Sequence, residues 1–156
     1  MSTPASRIEK RIHSDIPLAR HIGVRVTQFD GHTLVLSAPL AANSNHKGTA
    51  FGGSLFSLAV LAGWGLLTLK LAERGVQGEL VIQDSKVSYL LPVTGDLVAR
   101  ASLPESRELE RFLAAVDRHR KGRIRLSVTI EHAGREAVRF DGTFALLNTG
   151  SESSVI

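Results

Sequence analysis

Gly48-Thr49-Ala50-Phe51-Gly52-Gly53-Ser54-Leu55-Phe56-Ser57-Leu58-Ala59-Val60-Leu61-Ala62-Gly63-Trp64-Gly65-Leu66-Leu67-Thr68-Leu69 runs for 22 residues without a charged side chain. At about 1.5 Å of rise per residue a helix of that length reaches roughly 33 Å, so it is either a transmembrane span or the buried axis of a folded domain. Five glycines and the hydroxyls of Thr49, Ser54, Ser57 and Thr68 dilute its hydrophobicity. A helix that opens on a glycine doublet also suits a backbone approached closely by another group. The buried axis is the expected state, with no membrane as partner.

The rest of the chain supports a single domain with a real core. It has 156 residues, of which 43% are hydrophobic and 22% charged. The absence of cysteine excludes disulfides, thiolate catalysis and most structural zinc sites, and the six histidines show no paired spacing. No metal is expected. The first residues lack the apolar run of a secretory signal, which makes the cytoplasm the expected compartment. The net charge is +4, with the excess clustered at Arg118, His119, Arg120, Lys121, Arg123 and Arg125. No aromatic residues interleave with these, so nucleic acid is not the expected partner. Arg120 and Arg123 instead suit the phosphates of a nucleotide-like group, because guanidinium offers planar paired donors.

Outward from the central segment, residues 4 to about 15 read as a short amphipathic helix, with Ile8, Ile12 and the adjoining Ile16 at four-residue spacing and Pro17 as its stop. Residues 23–29 and 32–38 flank Asp30-Gly31 and predict a β-hairpin. After a polar loop the long helix covers residues 51–74, with Gly75 as its left-handed cap. Residues 79–91 read as a strand, and 97–102 as its return in a second hairpin around Thr94-Gly95-Asp96. Leu109, Phe112, Leu113 and Val116 predict a helix within 103–121, with Ser102 and Glu105 as a capping box and Gly122 after it. In 123–132 the even positions 124, 126, 128 and 130 are apolar, and Val138, Phe140, Phe144 and Leu146 continue that alternation beyond an Ala133-Gly134 turn, with Gly142 at an expected bulge. The domain should span residues 1–147, with 148–156 a flexible tail.

This order gives an α+β chain in which an antiparallel sheet of about six strands curls around one long helix, with a helical insertion before the last two strands. The open sheet edge predicts a homodimer, with a tetramer as a further step.

The order of elements, the buried helix and Asn45-His46-Lys47-Gly48-Thr49-Ala50-Phe51-Gly52-Gly53 resemble the hotdog-fold acyl-CoA thioesterases. Ala38-Pro39-Leu40, Phe51-Gly52-Gly53, Gly63-Trp64-Gly65 and Tyr89-Leu90-Leu91-Pro92-Val93 resemble most closely the thioesterase-like domain of the YiiD C-terminal family. The resemblance covers about residues 8–147. It implies hydrolysis of an acyl-CoA or acyl-carrier thioester at a dimer interface, with no cofactor beyond the coenzyme A of the substrate itself. A dehydratase of the same fold is a weaker expectation, since the helix offers no Glu.

Thioester hydrolysis needs donors for the oxyanion and a carboxylate to bring in water or attack directly. Free amides at Phe51, Gly52 and Gly53 would supply the donors at the positive end of the helix dipole. In the resembling branch an acid lies on the helix seven residues beyond the glycine pair, but here that position is Val60. Asp84 is therefore the expected catalytic acid, mid-strand among apolar neighbours where burial would raise its pKa. Asn45 could position water, as the resemblance implies, or shape its own loop through an Asx-turn. His46, Lys47, Phe51 and Tyr89 complete the candidate substrate-binding set. The missing helix acid keeps a second expectation open, a non-catalytic acyl-CoA binding or sensing protein.

Overall fold

A computed structural model describes residues 1–147; the expected tail, 148–156, lies outside the described residues. The element order is α1 (Pro4–Asp15), α2 (Pro17–Ile22), β1 (Arg25–Phe29), β2 (Thr33–Ala38), α3 (Gly52–Glu73), β3 (Glu79–Tyr89), β4 (Leu97–Ser102), α4 (Ser106–His119), β5 (Gly122–His132) and β6 (Arg135–Leu147). The six strands form one antiparallel sheet in the order β1-β2-β4-β5-β6-β3. Its inner face packs on α3.

Helix α3 is apolar on nearly every side, which suits an element wrapped by a sheet. Leu58, Ala59, Ala62 and Leu67 are completely buried. Glycines set how closely its neighbours approach. A Cβ on Gly63 would stand 2.7 Å from the Phe144 ring, and one on Gly65 would stand 2.9 Å from Leu34, so the sheet sits against bare backbone at both points. Gly75, at φ +66, ends the helix as expected.

Helix α1 begins under an N-cap in which Thr3 Oγ1 accepts from Ser6 N, with Pro4 in the first turn. Its buried face carries Ile8 and Ile12 across α3. The same helix seals the β1 edge. Val26 N donates to Glu9 Oε2 at 2.7 Å, and a His13 ring nitrogen lies 2.7 Å from Val24 O. At the other margin, the eleven-residue β3 has β6 on one side and no strand on the other.

Local details depart from the sequence expectations for physical reasons. Strands β3 and β4 do not form a hairpin. Strand β3 pairs with β6, and the chain then crosses the sheet so that β4 pairs with β2 and β5. Long apolar strands carry no label for their partners, and β6 offers β3 the longer ladder. The capping box is absent, because Ser102 belongs to β4, where its hydroxyl lies 3.1 Å from Thr33 Oγ1, while Glu105 is the N-cap of α4 without a side-chain bond. Arg120, at φ 58, ends α4 in place of Gly122, which opens β5. Gly142 sits in register opposite Ser85 and Leu126 with no bulge; its missing Cβ makes room for the Phe140 ring, 2.6 Å from where that atom would be. The short helix α2 was not foreseen.

The first turn centres on Gly31-His32, one residue beyond the expected pair, since Asp30 N bonds Thr33 O and only Gly31 takes a positive φ. Asp30 Oδ1 accepts from His32 N at 2.9 Å and Thr33 N at 2.7 Å, and those amides hold its carboxyl below the usual range. The fold therefore favours the charged form. Its contribution is present above the ordinary aspartate pKa and is lost as pH falls through the lowered one. Urea midpoints of wild type and Asp30→Ala should differ at neutral pH and converge in acid.

Candidate functional site

The loop before α3 is built by two asparagines. Asn43 is buried, donates from Nδ2 to Ile22 O and to Pro39 O at 2.8 Å each, and accepts from Phe51 N at 2.7 Å through its carbonyl. Asn45 accepts at Oδ1 from Lys47 N and Thr49 N and donates to Thr49 Oγ1 at 2.8 Å. Asn45 thus adopts the Asx-turn that was one of its two expected roles. Sequence reading missed Asn43, which looked like one more polar residue of the loop; its spacing of two from Asn45 was the available signal. Ala50 N donates to Val93 O at 2.8 Å and ties this loop to the crossing between β3 and β4.

Where these segments meet, a cleft of about 260 Å³ opens at the start of α3, lined by Ala50, Gly52, Leu55, Tyr89, Leu90, Leu91, Pro92 and Val93. Tyr89 fixes its geometry, with the phenol donating to Gly52 O at 2.9 Å. Phe51 is the helix N-cap, and its ring lies over Gly53, where a Cβ would meet it at 2.5 Å. The expected trio of free amides is a pair. Phe51 N is taken by Asn43 O, whereas no acceptor among the described residues reaches Gly52 N or Gly53 N. These two donors stand at the positive end of a 22-residue helix beside an apolar cleft.

The desolvated acid expected at Asp84 is not found. Asp84 is exposed and pairs with Thr143, which pairs in turn with Arg125, so all three project from the outer face of the sheet, opposite the helix. Its Oδ1 accepts from Ser85 N beside a bulge that displaces Gln83. The bulge after Ile82 turns Asp84 to the solvent-facing side of the sheet, which defeated the argument from apolar flanking residues. His46 and Lys47 are exposed on the loop. Arg120 and Arg123 are exposed at the far end of the sheet. Arg123 aligns through Ala145 with Val81, eight positions before Tyr89, or about 26 Å along the strand at 3.3 Å per residue. The structure therefore joins Gly52, Gly53, Phe51 and Tyr89 and leaves Asp84, Arg120 and Arg123 apart. Among the described residues no cluster of His, Asp or Glu side chains could hold a metal ion.

Known proteins share this fold. A protein of unknown function from Chlorobaculum tepidum TLS is 32% identical, with 95% of this chain and 98% of that one covered and a TM-score of 0.90. A putative thioesterase from Shewanella oneidensis is 29% identical over 95% of this chain and all of its own, with a TM-score of 0.86. A thioesterase from Haemophilus influenzae, 17% identical over 93% of each chain at a TM-score of 0.71, shares the hotdog fold. Residues 5–148 match the family described as Putative thioesterase (yiiD_Cterm). The chain is a hotdog-fold protein and belongs to that thioesterase family.

Proposed function

We propose that the protein hydrolyses an acyl-CoA or acyl-carrier thioester, with the thioester carbonyl oxygen held by the amides of Gly52 and Gly53. The observation that carries this reading is that pair of unpartnered amides at the start of α3, with Gly52 lining the apolar cleft and Gly53 next to it in the same turn. As water attacks, charge gathers on the oxygen facing the two donors, and the carbon–sulfur bond breaks to release a carboxylic acid and a thiol. Glycine at both positions lets the carbonyl come close, while Tyr89 anchors the first turn. The proton acceptor for water comes from outside this cleft, since none of its lining residues carries a carboxylate or imidazole. Free thiol released from a panel of short, medium and aryl acyl-CoAs tests the reading. Because Asp84 faces away from the cleft, Asp84→Ala should turn over substrate at the wild-type rate; a large loss would return Asp84 to the mechanism.

The active unit in this proposal is a homodimer joined along β3. Helix α1 caps the β1 edge, whereas β3 bares its outer backbone between the exposed Val81, Tyr89 and Leu90. A cleft of about 260 Å³ also falls short of the roughly 300–1,000 Å³ of complete small-molecule sites, as expected for half a site. Antiparallel pairing of two β3 strands would set the Tyr89 end of one subunit against the Glu79 end of the other, bringing the partner's Arg120 and Arg123 toward the coenzyme A phosphates. Light scattering should give the mass of two chains.

A second reading, a non-catalytic acyl-thioester binding protein, is favoured by the lack of an acid in the cleft. Saturable stabilisation by an acyl-CoA without thiol release would select it.

A further inference from the structure

A larger cavity, of about 560 Å³, lies near the opposite end of α3, walled by Trp64, Thr68, Leu71, Val76 and Leu80 and bordered by Arg11. Thr68 lies about 24 Å beyond Gly52 along the helix axis, at 1.5 Å per residue, so this space is separate from the cleft of the same chain. Its volume suits a small molecule. Trp64 forms a fixed wall, with its indole Nε1 donating to Leu80 O at 2.9 Å, and Leu71, Val76 and Leu80 supply the apolar surface.

Two side chains there keep unused hydrogen-bonding capacity among the described residues. Thr68 is only 8% exposed, it lines the cavity, and no hydrogen bond among the described residues engages its hydroxyl. That hydroxyl opens to the cavity, where it is free to bond a guest. Arg11 sets its guanidinium 5.6 Å from the Trp64 ring centroid and engages Asp15 Oδ2 through Nε alone, at 3.2 Å. Its two terminal nitrogens make no bond among the described residues. Glu79 also borders the cavity, but strand alternation turns its side chain to the outer face, opposite to Leu80. Arg11 is thus the one charged group positioned to meet a guest.

We infer that this cavity binds a small amphipathic carboxylate. The apolar body rests on Trp64, Leu71, Val76 and Leu80, the carboxylate takes paired hydrogen bonds from the terminal nitrogens of Arg11, and Thr68 supplies a further donor. This site lies about 24 Å from the cleft of its own chain, and in the β3-paired dimer proposed above the partner's cleft would lie against its Glu79 border.

Trp64 is the only tryptophan in the chain, so its emission reports on this cavity alone. Octanoate, 3-phenylpropionate and 1-octanol, each below its aggregation threshold, would be titrated against the whole protein. Dissociation constants rather than amplitudes are compared, because changing Arg11 alters the starting emission. At least one carboxylate should saturate, and about tenfold more tightly than the alcohol, as a charge-assisted bidentate contact implies. Arg11→Gln should reduce the carboxylate to the affinity of the alcohol and leave the alcohol unchanged, and Thr68→Val should weaken the carboxylate severalfold. No saturable change with either acid, equal binding of acid and alcohol, or undiminished binding by Arg11→Gln would overturn the inference.

Discussion

Gly52→Pro should fold normally and lose about 100- to 1,000-fold in turnover, the loss associated with removing one oxyanion donor. Proline at this position deletes a single amide and little else. Gly52 is the first residue of α3, where the helix makes no use of the N–H and proline is readily accommodated. The preceding Phe51 already has φ −67 and ψ 133, the extended conformation that a following proline demands. A Cβ at residue 52 would stand 3.5 Å from the Tyr89 ring, an ordinary contact. The experiment needs a melting curve and a thiol-release assay on the same preparation. An unchanged melting curve with unchanged turnover would remove the Gly52 amide from the chemistry.

Phe144→Ala should lower the free energy of unfolding by about 3–5 kcal/mol, the range for deleting a large buried aromatic side chain. Phe144 is completely buried, and its ring lies in the notch left by Gly63, where α3 meets β6. Neither neighbour can fill the space, because Gly63 has no side chain to move. Denaturant unfolding followed by circular dichroism measures the change, and a loss under 1 kcal/mol would mean that the helix can settle onto the sheet. The reverse substitution, Gly63→Ala, would press a methyl into the same ring and should cost about 1–3 kcal/mol.

The architecture was legible because its strongest signals are compositional. A helix without charge until its last turn and apolar on nearly every side has few environments open to it, and the alternation in β5 and β6 specified which face each strand buries. The pairing of β3 was not legible. A strand with apolar residues at irregular spacing accepts several partners, and choosing among them depends on the ladder available across the whole sheet. The candidate site divided along similar lines. Gly52 and Gly53 could be read because backbone donors follow from helix geometry alone. Asp84 could not be placed, because burial is a property of the assembled sheet, and the bulge after Ile82 shifts which residue faces outward. Asn43 organises the loop through bonds to Ile22 and Pro39 that no local pattern announces.

The unequal treatment of the two sheet margins limits how the molecule can grow. A strand ladder propagates indefinitely only if each added unit presents a fresh margin, as in a fibril. Here Glu9 occupies the amide that β1 would otherwise offer to a newcomer. The proposed joining of two chains along β3 would use the border that no strand covers on each, while β1 has its Val26 amide already engaged, so growth would stop after a single addition. Replacing Glu9 with a side chain unable to accept that bond would reopen the far border and invite polymerisation.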